Sequence, residues 1–252
     1  MFGGSWRLGR IFGIEVRIDT SWLLIAVLVL YSMYIQFESQ FPRLTSAATF
    51  SLALIFGLLF FSSVLAHEMA HAVTARRRGI EVHGITLFLF GGATHAKVDS
   101  RRPQDELVVS IVGPLMSLVL GGLLILLARA LGGPDHPGGW GFGYLGAVNI
   151  VLAVFNMLPG FPLDGGRVLR ALVWRATGSL ARATRVASIA GQAVGYLLIA
   201  GGILLLTQEA FRSAIWIAAI GWFLVQAARM SQREVRPDPE PDPNAQPKAE
   251  NA

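Results

Sequence analysis

Six apolar stretches separated by short polar ones organise the chain, at approximately residues 22–37, 48–75, 107–131, 143–158, 186–206 and 213–228. A hydrocarbon core about 30 Å thick takes about 20 mainly apolar residues in a helix, and these runs lie near that length. The third run is the clearest span. The fourth and sixth are short, so each would cross with little tilt or enter the bilayer only in part. The pattern predicts an all-α integral membrane protein of about six transmembrane helices. Residues 80–98 break it: β-branched, aromatic and glycine residues recur there with too few apolar positions for another span. They read as a small membrane-associated β-hairpin between helices 2 and 3, turning at Gly91-Gly92. Residues 230–252 are rich in proline and acidic residues and have nothing to bury, so a disordered cytosolic tail is expected behind a membrane domain of residues 1–229. No repeat at a fixed period marks paired halves.

Composition agrees with a bilayer rather than water as solvent. The chain is 53% hydrophobic and 15% charged, where soluble domains carry about 25% charged residues. Twenty-one Lys and Arg against sixteen Asp and Glu leave a net charge of +5. With the N-terminus in the cytosol and six crossings, 18 of the 21 basic residues fall on the cytosolic side, leaving Arg43, Arg129 and Arg212. That asymmetry places a multi-pass protein in the cell membrane with both termini cytosolic. Topology explains the positive charge, so the implied partner is the lipid bilayer and not nucleic acid. The first apolar run lacks a small-residue cleavage site, and no cleaved signal peptide is expected. With no cysteine, a thiol nucleophile or thiolate metal site is excluded, and any metal would be held by His, Asp and Glu.

The second apolar run ends in His67-Glu68-Met69-Ala70-His71, just before Arg76-Arg77-Arg78. Two histidines four residues apart share one helical face, where their imidazoles can converge on one Zn2+. Glu68, beside the first ligand, can reach a water activated there and take its proton. Ionisable groups within an apolar span are costly and functional by default. The plain alternative is a histidine pair hydrogen-bonded to neighbouring helices, with Glu68 paired to one of them. From His71 to Arg76 is about 7–8 Å along a helix, which puts the group inside the membrane near the cytosolic face.

A catalytic zinc takes three protein ligands and one open position. Continuation as a metzincin would need Gly at 74 and His at 77, where the chain has Thr74 and Arg77. The fourth run ends in Asn156-Met157-Leu158-Pro159-Gly160-Phe161-Pro162-Leu163-Asp164-Gly165-Gly166-Arg167. Its prolines and glycines break a helix, and unwound backbone at membrane depth is tolerated where it is buried in protein or lines a watery cavity. Asp164 falls on the cytosolic side, at the depth of the histidine pair, and its carboxylate would complete a two-His, one-carboxylate site. Alone, the same segment also reads as a polar turn leaving the membrane, with Asp164 paired to Arg167.

An intramembrane H-E-x-x-H on the second span, followed across another span by N-x-x-P-x-x-P-L-D-G-G, resembles the site-2 protease family of zinc metalloproteases, in the form without a PDZ or CBS domain. The likeness covers roughly residues 10–228. It implies one Zn2+ per chain held by His67, His71 and Asp164, with Glu68 as catalytic acid/base and Asn156 turned towards the active site. There Asn156 could donate its amide to a developing oxyanion or hold substrate backbone. Asn149, deeper in the same run, reads instead as a hydrogen bond across helices. The implied function is intramembrane hydrolysis of peptide bonds in or next to transmembrane segments of membrane proteins, in regulated proteolysis. Substrates would be membrane-spanning proteins, with a separate regulatory partner left open.

A substrate helix hides its peptide bonds in its own hydrogen bonds and must unwind before cleavage. A strand edge in 80–98 could hold it by β-addition; the plain alternative is an interfacial hairpin that only covers the helix ends. His83 and His95 lack the helical spacing of the pair, and His136 falls on the opposite side of the membrane. Gly121-Gly122, Gly191, Gly195 and Gly201-Gly202 suit close helix packing or outer helices that separate. The alternative from another class is a zinc transporter or metal-binding membrane protein. A transport site would sit near the midplane and has little use for Glu68. A proteolytically dead scaffold is the third reading.

Overall fold

The computed structural model describes residues 4–88, 91–96, 102–206 and 211–233. Strands β1 (Ser5–Ile11) and β2 (Ile14–Asp19) precede helices α1 (Trp22–Gln40) and α2 (Ser46–Arg77). Strands β3 (Val82–Phe88) and β4 (Gly91–Ala96) follow, then α3 (Pro103–Ala130), α4 (Pro137–Asn156), α5 (Asp164–Thr177), α6 (Leu180–Leu206) and α7 (Phe211–Arg233). Among the described residues six helices, all but α5, are long and apolar enough to cross a membrane. The chain is a multi-pass membrane protein. The expected tail lies outside the described residues from 234 onwards, and α7 runs on to Arg233, past the boundary set at 229.

The helices are sorted as a bilayer requires. Leu24, Val27, Leu118, Leu123, Leu126, Leu197, Leu204 and Trp222 are exposed, while Ser110, Ser117, Asn149, Thr184 and Ser188 are buried. Lipid tails accept the apolar side chains, and the polar groups face protein. The fourth span begins earlier than its apolar run, at Pro137, because glycines that weaken a helix locally are used for packing. A Cβ on Gly141 would lie 2.4 Å from the Phe56 ring. With 20 and 23 residues, α4 and α7 are both long enough for full crossings.

Glycine contacts set two of the helix pairs. A Cβ on Gly121 would meet the Gly146 carbonyl at 2.9 Å, and the converse holds across α3 and α4. Gly195 and Gly221 make the same approach between α6 and α7, at 2.7 and 2.6 Å. Gly122 and Gly201 face open space.

The expected hairpin is β3–β4, but Gly91 and Gly92 lie within β4, opposite Phe88 and Leu87, rather than at the turn, and the hairpin belongs to a four-stranded sheet of order β1-β2-β3-β4. β2 pairs with β3 in parallel, with Val16 opposite Ile85 and Ile18 opposite Leu87. Residues 5–19, which no apolar span covers, supply half the sheet. Its apolar face of Ile14, Val16, Ile85 and Leu87 packs on Met69 and Ala72 of α2. The sheet therefore lies against the turn that carries the two histidines. At 32 residues, α2 is about 48 Å long, more than a hydrocarbon core needs, which leaves its last turns near one face. It stops at Arg78 and Gly79, the latter at φ +75°, where glycine is favoured.

Candidate metal centre

His67 and His71 stand one turn apart on α2, both buried. Each ring is held from behind by α3. His71 Nδ1 donates to the Val109 carbonyl at 2.7 Å, and His67 Nδ1 lies 2.9 Å from Ser117 Oγ. A carbonyl only accepts, so His71 carries its proton on Nδ1 and, as a neutral ring, presents a bare Nε2. This is how metal-binding histidines are usually oriented.

Asp164 reaches the pair through close backbone packing. After α4 ends at Asn156, Phe161 N–H donates to the Ala187 carbonyl of α6 at 3.1 Å. A Cβ on Gly191 would lie 2.0 Å from the Phe161 carbonyl oxygen, and one on Gly165 would lie 2.4 Å from those of Met157 and Leu158. Glycine at these positions allows the segment to lie flush against α6 and to begin α5 at Asp164. Gly191→Ala is expected to cost about 1–3 kcal/mol through overpacking. Its thermal midpoint in detergent should fall accordingly, while Gly201→Ala, with open space at its Cβ, should not lower it.

Three atoms then meet. Asp164 Oδ2 is 3.2 Å from His67 Nε2 and 3.2 Å from His71 Nε2, and the two nitrogens are 3.2 Å apart. Tetrahedral zinc with ligand bonds of about 2.0–2.2 Å holds its ligand atoms about 3.3–3.6 Å apart, so the triangle is within a few tenths of an ångström of the size such an ion requires. No ion pair joins Asp164 to Arg167 among the described residues. The polar-turn reading is also replaced in form, since Asp164 opens an amphipathic helix of 14 residues. Gly113 of α3 closes the floor: a Cβ there would lie 2.1 Å from His71 Nε2 and 2.8 Å from His67 Nε2.

Glu68 is half-buried on α2 beside His67, and the half-buried Asn156 closes α4 with Nδ2 donating to the Leu152 carbonyl at 3.0 Å. Asn149 is fully buried, but it bonds its own helix at the Leu145 carbonyl, 2.9 Å away, rather than crossing to a neighbour. His83 is exposed, 3.8 Å from Glu81. His136 caps the far end of α4, accepting from Gly138 N–H at 3.2 Å. The side chain of His95 lies outside the described residues.

Ser117, the Val109 carbonyl and Gly113 escaped the sequence reading. A signal existed: Glu106, Ser110, Gly113, Ser117 and Gly121 recur every three or four residues along α3 and are all buried. That is a small and polar stripe on an otherwise apolar helix, with Gly113 and Ser117 against α2, Glu106 against α5 and Gly121 against α4.

The comparisons with known proteins fall on these same elements. The model of peptidase family M50 matches residues 55–135 and 140–201, which include His67, Glu68, His71, Asn156 and Asp164. The Synechocystis protein sll0528 is 42% identical over 91% of this chain and 60% of its own length. Rip3 of Mycobacterium tuberculosis is 36% identical over 90% of this chain and 58% of its own. Both are named as candidate zinc metalloproteases, and the chain spans about three-fifths of their length. A solved structure, the site-2 protease from Methanocaldococcus jannaschii, superposes with a TM-score of 0.60 at 25% identity, covering 93% of this chain and 98% of that one. With the family model matching more than half of its residues, the chain belongs to peptidase family M50.

Proposed function

We propose that the protein is a zinc-dependent intramembrane endopeptidase, and the observation that carries this reading is the 3.2 Å triangle of His67 Nε2, His71 Nε2 and Asp164 Oδ2 with Glu68 alongside. The names of the similar proteins support it. His67, His71 and Asp164 hold one Zn2+. When bound, the ion supplies Lewis-acid polarisation of the scissile carbonyl and acidifies the attacking water. Glu68 takes the proton from that water and passes it to the leaving amine, which is why a carboxylate next to the first histidine is needed. Asn156 steadies the substrate carbonyl or its backbone once its amide turns from the Leu152 carbonyl.

Substrates are membrane-spanning proteins cleaved in or next to a transmembrane segment, in regulated proteolysis with a partner that controls access. β4 is an edge strand of a sheet that packs beside the histidine turn. Its outer edge, which pairs with no other strand among the described residues, suits an unwound substrate segment. Both termini lie in the cytosol and the site opens near the cytosolic face, as the Arg and Lys asymmetry supports.

The test is zinc content and cleavage of a panel of single-span substrates in liposomes, before and after chelation. The expected result is about one zinc per chain, cleavage abolished by chelation and restored by added Zn2+. Zinc carried across the liposome with no substrate cut would establish transport instead.

A further inference from the structure

The acidic first turn of α3 ties together the two elements that carry the ligating atoms. Glu106 is 2% exposed. Its Oε1 accepts from Arg170 Nε at 2.6 Å, and Arg170 Nη2 contacts the same oxygen. The guanidinium lies over the Phe161 ring, 5.1 Å from the centroid. Arg170 is on α5, six residues after Asp164, and Phe161 is three residues before it. On the neighbouring residue, Asp105 Oδ1 accepts from Arg78 Nη1 at 3.0 Å, at the C-terminal cap of α2. One turn of α3 thus grips the end of the histidine helix and, through Arg170, the start of the aspartate helix. Glu106 also lies three residues before Val109, whose carbonyl sets the His71 ring.

Packing makes α3 the intermediary. α5 packs on α3 and α6, and α3 packs on α2. The planar fork of Arg170 fixes direction as well as charge. A buried ion pair is weak evidence for stability, because an apolar pair often serves as well.

We propose that Glu106 and Arg170 are positioning residues of the metal centre: their ion pair, stacked on Phe161, holds Asp164 Oδ2 at its distance from His67 and His71 Nε2. The inference rests on the zinc-centre reading above. Ser117 and the Val109 carbonyl aim the histidines, and Glu106 with Arg170 does the equivalent for the aspartate.

The experiment uses the full chain in detergent, with Co2+ as a spectroscopic probe and Zn2+ competed against a chelator. The variants are E106L/R170M, which leaves no lone buried charge, R170K, which keeps the charge without the fork, and the exposed R175M as control. The expected result is a double variant whose metal-free form melts as a folded protein but whose Zn2+ affinity falls about 10–100-fold. Its Co2+ spectrum should move towards that of Asp164→Ala. R170K should fall between, and R175M should match the parent. A double variant with the parent's Co2+ spectrum and Zn2+ affinity overturns the proposal whatever its melting temperature, since a merely structural pair would alter only the latter. Should the double variant not fold, R170K decides: weakened Zn2+ binding supports the clamp, and unchanged binding with an unchanged spectrum overturns it. A parent chain that takes up neither ion overturns the zinc-centre reading and the clamp with it.

Discussion

Glu68→Gln is expected to keep its zinc and lose cleavage by at least about 10²–10⁴-fold, the contribution of a positioned general acid/base. The substitution keeps size, shape and one carbonyl oxygen, so what α2 packs against beside Glu68 is little disturbed. It removes the negative charge and with it the capacity to take and return a proton. The three atoms placed to hold a metal ion belong to His67, His71 and Asp164 and not to Glu68, so metal content should match the parent. Asp164→Asn should behave differently. It leaves the amide oxygen in place but removes the charge that balances the ion, so zinc affinity itself should fall, and activity should recover in part at high added Zn2+. Metal analysis beside initial cleavage rates in liposomes separates the two patterns. Retention of more than about a tenth of the parent rate in Glu68→Gln would rule out the acid/base role for Glu68, since a positioned general base typically contributes about 10²-fold or more.

Much of this site was legible because its signals are local. His67, Glu68 and His71 declare themselves through helical spacing within an apolar run, and Asp164 through a helix-breaking segment at the matching depth. The remainder depends on partners far apart in the chain. Ser117 lies 50 residues from His67, and Val109 lies 38 from His71. Nothing in the order of residues pairs them until α2 and α3 pack. Glu106 and Arg170 are 64 residues apart, and each alone resembles an interfacial charge. The N-terminal strands are a different case. Ile14, Val16 and Ile18 alternate with Glu15, Arg17 and Asp19, the period-2 pattern of a half-buried strand. At six residues the run is too short to register among the apolar spans. The amphipathic α5 was hidden by its own start, since Asp-Gly-Gly is turn chemistry. It opens a helix here because Gly165 and Gly166 lie against the backbone of residues 157–161.

Gly113→Ala is expected to empty the metal centre while leaving the fold intact. Alanine is favoured over glycine in a helix interior by about 1 kcal/mol, so the change suits α3 locally. The added methyl would sit 2.1 Å from His71 Nε2, 2.5 Å from its Cε1 and 2.8 Å from His67 Nε2. The first of these is a metal–nitrogen bond length, so the methyl carbon competes for the space an ion would fill. Either the rings turn away, giving up Ser117 and the Val109 carbonyl, or α3 retreats and takes those anchors with it. Both outcomes lose zinc, by more than the about 10–100-fold that changes to the outer shell cost. Gly122→Ala on the same helix is the matched control, because nothing lies within 4 Å of its Cβ. It gains the same propensity and should keep zinc and activity. Zinc stoichiometry and thermal midpoints for the two variants decide the matter. Full zinc occupancy in Gly113→Ala would mean that the ion does not sit between the two Nε2 atoms, and the ligand assignment of His67 and His71 would fall.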